Sequence, residues 1–243
     1  MAICKLCSKE KKLIKSHIIP KGFFDFLYPD KFDDPKRVPL SIVSTNDEYE
    51  KKSPVGIYDN GILCAECDNK IGVFDDYAQK IFLKQRPSDY PGSSEALMLI
   101  NIDCGKIKMF FISLLWRASI SGREEFKLIN LGPLEAILKR ALEDNDPMMK
   151  NDFSVISCRF GSDKLPQITN KIIQTPFCQR IDQINFSVFY LGNGYKFFIK
   201  VDSRRLIDGF EQIALDNNDD KIIILKLREY TETPEFKLML NVV

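Results

Sequence analysis

The chain has 243 residues, of which 44% are hydrophobic and only 12 each are Gly and Pro, a composition that fits a folded globular protein and excludes a fibrous or wholly disordered one. Lys and Arg number 35 and Asp and Glu number 34, so the net charge of +1 provides no overall attraction to nucleic acid or to a membrane, and any such contact must come from a local patch. The longest strongly apolar run, residues 109–116, is far shorter than the roughly 20 residues that span a bilayer. The Lys-rich start of the sequence lacks an apolar signal core. We therefore expect a cytoplasmic protein without membrane contact.

Two pairs of cysteines with CxxC spacing lie in the first part of the chain. The first pair is Cys4 and Cys7, and the second is Cys64 and Cys67. In a reducing compartment, paired CxxC motifs favour metal binding over disulfide formation. Four thiolates form the closed tetrahedral ligand set of a structural zinc site. The sequence therefore predicts one structural Zn²⁺ held by these four cysteines.

The remainder of the first region alternates between irregular chain and helix. Residues 23–60 are rich in Pro, Asp, Lys and Ser, which predicts an irregular insertion with a short strand at 40–44. From 65 to 85 the apolar residues recur at helical spacing, so the second cysteine pair opens a helix. Pro, Gly and Ser at 87–94 then break the chain. We place a domain boundary there, between a zinc-containing domain of residues 1–90 and a second domain of residues 95–243.

The second region begins with an apolar stretch at 96–102, which predicts either a strand or a short helix. Residues 107–118 carry apolar side chains at helical spacing, the clearest helical pattern in the chain. Pro133 suits the first position of a second helix. Later elements follow the alternation and turn signals, with strands at 153–160, Ile184–Leu191, 195–201 and Lys221–Leu227, a hairpin turn at 192–194 and a short amphipathic helix at 204–215. The predicted fold class is α+β, with helices first and an antiparallel sheet after them.

The order of motifs between the cysteine pairs carries the functional information. The first pair is followed by Ser16-His17-Ile18-Ile19-Pro20, in which His17 is the only histidine of the chain. Asp59-Asn60 precedes the second pair, and Asp68 comes directly after Cys67. A zinc knuckle, a hairpin and a helix that carries the second pair make a treble-clef arrangement. The order resembles that of the zinc-containing HNH, or His-Me finger, endonucleases over residues 4–70.

The resemblance implies a ββα-metal unit with a role for each matching residue. His17 matches the general base, which needs a group with a pKa near neutrality. Asp68 matches the helix-borne ligand of a catalytic Mg²⁺ or Mn²⁺, for which a carboxylate is suited. Asn60, or its neighbour Asp59, matches the Asn that orients the histidine. The implied activity is hydrolysis of phosphodiester bonds in nucleic acid, with DNA as the expected substrate, and small nucleases of this shape serve in bacterial anti-phage defence.

Two departures from the family pattern leave alternatives open. Ser16 stands where the family has an acidic residue, so the catalytic metal would need another carboxylate, for which Asp75 and Asp76 are candidates, or His17 itself. The long insertion after His17 either shapes substrate access or accompanies a fold that kept its zinc and lost its chemistry. The alternative function is a non-catalytic zinc-binding module that binds nucleic acid or a protein partner. A redox role is disfavoured, because neither CxxC follows a strand in a βαβ pattern.

Three further features have more than one interpretation. Residues 95–243 would provide substrate choice, a homodimer interface or docking to a protein partner. Trp116-Arg117 is either a functional pair or a core Trp beside a surface Arg, and the second interpretation is favoured. The last feature is a group of lysines that either contacts phosphates or forms a solvated face: Lys9, Lys11, Lys12, Lys15 and Lys21.

Overall fold

The computed structural model describes residues 1–26, 41–42, 56–161, 172–228 and 233. The described part contains five α-helices, namely α1 (Lys21–Phe26), α2 (Ala65–Gln79), α3 (Cys104–Ile120), α4 (Leu134–Asp144) and α5 (Asp208–Ile213). A π-helical turn at Lys80–Lys84 continues α2, and a 3₁₀ turn lies at Glu124–Phe126. Among the described helices, none combines the length and the apolar character that crossing a bilayer requires.

The strands form one large sheet and two small ribbons. The ribbons pair β1 (Ala2–Ile3) with β2 (Glu10–Lys11), and β3 (Ser16–His17) with β5 (Tyr58–Asp59). The large sheet has the order β4-β9-β10-β11-β8-β12-β7-β6. Its strands are β4 (Ser41–Ile42), β6 (Ser88–Asp89), β7 (Ala96–Ile100), β8 (Val155–Phe160), β9 (Ile173–Ile181), β10 (Ile184–Leu191), β11 (Tyr195–Lys200) and β12 (Lys221–Leu227).

The predicted α+β class is confirmed, with one correction to the sheet. Most neighbouring strands are antiparallel, but β12 runs parallel to β8 and β4 runs parallel to β9. A parallel pair needs a long connection, and β9, β10, β11 and α5 lie between β8 and β12 in the sequence. The hairpin of β10 and β11, α3, α4 and β12 all form where the apolar pattern predicts them.

Three elements differ from the sequence expectation. Helix α1 begins before position 23 and continues into the segment expected to be irregular, whose residues 27–40 and 43–55 lie outside the described part. Of the strand expected at 40–44, Ser41–Ile42 is described and forms β4. Strand β9 was not expected, because Pro176 interrupts its pattern. The pairing of β9 with β10 shifts register between Val188 and Tyr190, so an irregularity opposite Pro176 accommodates the missing N–H.

Helix α3 is the centre of the core. Fourteen of its 17 residues are buried, which is typical of a helix enclosed on all sides. It packs against α2 and α4, and its apolar side chains join the cluster that includes one face of the sheet. The opposite face of the sheet packs with residues of α5, as the period-2 alternation of strands requires.

Residues on both sides of the predicted domain boundary share this core. Phe82, from the π-turn after α2, has its ring centroid 6.0 Å from that of Phe111, 5.2 Å from Tyr195 and 4.9 Å from Phe197. One cluster of buried side chains therefore includes both α2 and the sheet. The division into residues 1–90 and 95–243 stays a prediction, and fragment stability is the property that tests it.

Candidate metal centre and the adjoining pocket

The four CxxC cysteines come together in the folded chain. Cys4 and Cys7 lie in the turn between β1 and β2, where Ser8 adopts a left-handed conformation (φ 56°) and its N–H donates to the Cys4 carbonyl at 2.9 Å. Cys64 is the N-cap residue of α2, and Cys67 lies in its first turn. All four Sγ atoms lie within 4.8 Å of one another. The sequence prediction of a four-cysteine cluster able to bind a metal ion is confirmed.

The chemistry of this cluster suits zinc. In a tetrahedral site with Zn–S bonds of about 2.3 Å, the sulfur atoms lie about 3.8 Å apart. This distance is compatible with four Sγ atoms that all lie within 4.8 Å of one another. The Cys64 N–H donates to Cys4 Sγ at 3.4 Å. Burial raises the pKa of Cys4, but backbone donors from Cys7, Cys64 and Leu6 outweigh it and lower the pKa to about 7. Burial and the neighbouring thiols raise the pKa of Cys67, so a cation is needed to hold all four as thiolates.

Strand β3 places His17 in the wall of a pocket. Its two residues pair with β5, Ser16 opposite Asp59 and His17 opposite Tyr58, and the rings of His17 and Tyr58 have centroids 6.0 Å apart. The half-buried His17 lines a pocket of about 290 Å³. Residues of β3, α1, α2 and α3 form its walls. The only histidine in the chain is therefore exposed to a concave, charged surface.

Asp68 lines the same pocket as His17. Its carboxylate accepts a hydrogen bond from the hydroxyl of the fully buried Ser16. Ser16 thus fixes the position of the Asp68 carboxylate on the facing helix. A carboxylate has two oxygens with two lone pairs each, so it can accept this bond and still bind a cation.

Asp25 belongs to the pocket, and the sequence interpretation did not identify it. Helix α1 begins directly after Pro20 and places Asp25 and Lys21 in the pocket wall, with Lys21 Nζ 3.6 Å from Asp25 Oδ2. The i,i+4 charge pair and the apolar Phe23 and Phe24 between them are a short amphipathic signal. That signal could have indicated a helix at the start of the supposedly irregular segment.

The expectation of a surface Arg at position 117 is wrong. Arg117 is 1% exposed, and it donates from Nη1 to Asp75 Oδ2 at 2.8 Å and from Nη2 to Asp75 Oδ1 at 2.6 Å. Nη1 also donates to the backbone oxygen of His17 at 2.8 Å. A buried guanidinium requires such partners, and α2 provides them. The side chain of Trp116 is buried in the core, as expected.

Asp75 and Asp76, the two alternative ligands for a catalytic metal, have different surroundings. Asp75 is held by Arg117 in the ion pair, and although burial raises the pKa of Asp75, the guanidinium opposes that rise. Asp76 is exposed and lines the pocket. Asp76 is therefore the better candidate of the two for binding a cation together with Asp68.

The loop expected to orient the histidine does not reach the pocket. Asn60 is exposed and is not among the pocket-lining residues. The Asp59 carboxylate accepts from the Ser121 hydroxyl and the Gly122 N–H, both at 3.0 Å, just after α3. Burial raises the pKa of Asp59, but a bond from the Gly61 N–H at 2.7 Å, together with those from Gly122 and Ser121, lowers it overall. The structure brings His17 and Asp68 together and leaves Asn60 apart, so the orienting role of Asn60 stays a prediction.

The lysines of the first 21 residues differ in their surroundings. Lys11 pairs with Glu66, and the Lys15 ammonium lies 5.1 Å from the centroid of the Tyr58 ring. Lys9 and Lys12 are exposed. Within this group, only Lys21 lines the pocket that contains His17.

Comparison with known proteins identifies no relative of this chain. A scan of the chain against protein-family models matches no family, and searches of curated proteins and of solved structures find no similar protein. The functional interpretation therefore depends on the residues and their geometry.

Proposed function

We propose that the protein is a metal-dependent HNH-type endonuclease that hydrolyses phosphodiester bonds of nucleic acid, with DNA as the expected substrate and anti-phage defence as a setting. The knuckle of Cys4 and Cys7, the short strands and helix α2 would form a treble clef around a structural Zn²⁺. The observation that carries the proposal is that His17 and Asp68 line one pocket together with Asp25 and Asp76. A histidine beside several carboxylates is the arrangement that metal-assisted hydrolysis needs.

The carboxylates of this pocket suit a hard divalent cation. Asp25, Asp68 and Asp76 offer oxygen ligands, which Mg²⁺ and Mn²⁺ prefer over nitrogen or sulfur. When bound there, the cation would stabilise the charge that develops on the phosphate and on the leaving oxygen. Thiolates are too soft for this ion, so the two metals would sort between the two sites by ligand chemistry.

The protein's own groups would divide the remaining work. The His17 imidazole would accept the proton of the attacking water. The backbone of His17 is held by Arg117 on one side and by β5 on the other, which limits the positions the ring can adopt. The Ser16 hydroxyl would keep the Asp68 carboxylate directed at the pocket. Positioning of this kind is worth much of the rate enhancement in phosphoryl transfer.

A second candidate function is a zinc module without catalysis that binds nucleic acid or a protein partner. One observation favours it, namely that Ser16 occupies the place of an acidic ligand and its hydroxyl bonds to Asp68. Such a module would keep the cysteine cluster and would not depend on His17. The two candidates therefore differ in the effect of substituting His17.

The decisive experiment is a cleavage assay with plasmid DNA and with RNA, each with Mg²⁺ or Mn²⁺ and then without added divalent ion. Wild-type protein should cleave only when the ion is present. His17→Ala should lower the rate by about 10² to 10⁴, the usual effect of losing a general base. Asp68→Asn should also lower the rate, with partial recovery at higher Mg²⁺ if Asp68 is a ligand.

A control variant is needed to show that loss of cleavage does not come from loss of zinc or of the fold. Lys127→Ala changes an exposed side chain that does not line the pocket, so it should keep zinc content and thermal stability. His17→Ala should keep both as well. Cleavage by His17→Ala at the wild-type rate would contradict the proposed role of His17, whereas a zinc-loaded wild-type protein that binds but never cleaves would favour the non-catalytic module.

A further inference from the structure

A second pocket continues the first one along the same helix. It has a volume of about 480 Å³, and it shares Gly22, Asp76 and Gln79 with the pocket that contains His17. Its remaining walls come from the π-turn, with Lys80 and Lys84 among them. The two pockets are therefore adjacent parts of one groove between α1 and the helical segment made of α2 and the π-turn.

Five residues at four-residue intervals mark the length of this groove. Asp68, Gly72 and Asp76 line the first pocket, and Asp76, Lys80 and Lys84 line the second. Residues four apart lie near one another on a helix surface. Sixteen residues at the helical rise of 1.5 Å extend about 24 Å. The groove thus has an acidic end beside His17 and a basic end at the π-turn.

Helices α1 and α2 lie close together where the two pockets meet. A Cβ on Gly22 would fall 1.6 Å from Gln79 Oε1, the end of a flexible side chain. A Cβ on Gly72 would meet nothing within 4 Å, so α2 leaves free space in the first pocket. A ligand that reaches from one pocket into the other would pass Gln79.

The two lysines at the basic end lie more than 4 Å from every carboxylate of the described residues. Among the described residues, neither Lys80 nor Lys84 takes part in an ion pair, and both are exposed. Some exposed cations, such as Lys127 and Arg140, lie within 4 Å of a carboxylate, whereas others, such as Lys9 and Lys12, resemble Lys80 and Lys84 in forming no such pair in the described part. The π-turn itself fits this interpretation, because π-helical turns are rare and occur frequently at functional sites.

We propose that Lys80 and Lys84 form a subsite for the backbone phosphates of a nucleic-acid strand on one side of the bond that is cut. The inference depends on the proposed function, since the acidic end is taken to hold the metal and the reacting phosphate. An acidic pocket alone repels a polyanion, so a neighbouring basic segment is needed to hold the strand. The ammonium groups would contact the strand's phosphates without reading its sequence.

The test measures binding separately from cleavage. Fluorescence anisotropy of a labelled 12-nucleotide oligo-dT strand, without added Mg²⁺ or Mn²⁺, gives the affinity between 50 and 200 mM salt. Each phosphate contact on a single strand contributes a slope of about 0.7 in log affinity against log salt. Losing two contacts in Lys80→Gln/Lys84→Gln should therefore lower the slope by about 1.4. Wild-type affinity should then fall about sevenfold more than the variant's over this range.

The control double variant is Lys127→Gln/Arg140→Gln, which removes the same charge from two exposed residues on other elements. It should keep the wild-type slope within about 0.3. Equal slopes for wild type and Lys80→Gln/Lys84→Gln would overturn the subsite, as would a wild type that does not bind the strand at 50 mM salt. Binding that depends on the lysines in a protein that never cleaves would support the subsite and contradict the endonuclease. Metal-dependent cleavage with an unchanged salt slope in the lysine variant would support the endonuclease and overturn the subsite.

Discussion

The guanidinium of Arg117 holds the carboxylate of Asp75 through hydrogen bonds of 2.8 and 2.6 Å, and it donates a further bond of 2.8 Å to the backbone oxygen of His17. One buried side chain on α3 therefore connects α2 with the strand that carries the only histidine. The helix that belongs to the predicted second domain thus helps to position the candidate site in the first. Substitutions in this ion pair therefore test both the stability of the protein and its function.

Removing one partner of this pair should destabilise the protein strongly. Arg117→Ala leaves Asp75 charged and buried, which typically costs about 3–5 kcal/mol of unfolding free energy. Urea unfolding at pH 7, followed by the fluorescence of Trp116, measures the change. A loss below about 1 kcal/mol would mean that the pair is not buried as described.

A double substitution separates stability from positioning. Arg117→Met with Asp75→Leu replaces both charges by apolar groups, which is often neutral or stabilising. If Arg117 positions His17, this double variant should keep its stability and zinc content and still cleave at least tenfold more slowly than wild type. Cleavage at the wild-type rate would show that the bond from Arg117 to the His17 carbonyl has no effect on the reaction.

The cysteine cluster predicts one tightly bound zinc ion per chain. Metal analysis of the purified protein should find about one equivalent of Zn²⁺, and Cys64→Ser should lose it and destabilise the N-terminal residues, because binding and local folding are coupled. Cys104→Ser is the matched control, since Cys104 is buried but far from the cluster in sequence and bonds to the Lys221 carbonyl. Freshly purified wild-type protein without metal would contradict the prediction.

The shared core predicts that the first region does not fold by itself. A fragment of residues 1–94 would expose Phe82, whose ring partners Phe111, Tyr195 and Phe197 lie outside it. Burial of such a side chain is worth about 1.5–3 kcal/mol, and the fragment would lose many of them. We expect no cooperative thermal unfolding of the zinc-loaded fragment by circular dichroism. A sharp transition would instead support residues 1–90 as an independent domain.

Lys108 should make the stability depend on alkaline pH. Burial, helped by Lys200 and opposed by Asp152 and Asp216, lowers the pKa of Lys108 to about 8, whereas the unfolded value is about 10.4. Between these values the unfolded chain binds more protons, so the unfolding free energy should rise with pH, by a total of about 3 kcal/mol.

The variant Lys108→Met tests this pH dependence. It removes the buried ammonium, which donates to the Asp152 carbonyl at 2.6 Å, and should abolish the rise between pH 8 and 10.4. Lys127→Met, at an exposed position, should keep it. Chemical unfolding at pH 7, 8, 9 and 10 gives the comparison. Parallel curves for wild type and Lys108→Met would mean that Lys108 titrates normally.

Local patterns in the sequence were sufficient for several elements and for the metal cluster. The CxxC spacing identifies Cys4, Cys7, Cys64 and Cys67 because a turn and a helix start each present two thiols on one side. Helix α3 follows from its apolar periodicity, and the hairpin of β10 and β11 from its Gly-rich turn. In each case the signal lies within a single element, where side-chain spacing and backbone geometry are directly linked.

Only the tertiary structure decided which faces of these elements meet. An exposed and a buried Arg have the same local pattern, and Arg117 is buried because Asp75, 42 residues earlier, faces it across two packed helices. The pocket acquires Asp25 and loses Asn60 for the same reason, since their positions depend on how α1 and β5 pack. Desolvation and pairing energies depend on distances between distant segments. A pattern within one segment does not contain those distances, so the cysteine cluster and Asp68 could be predicted, whereas the bond from Arg117 to His17 and the place of Asp25 in the pocket could not.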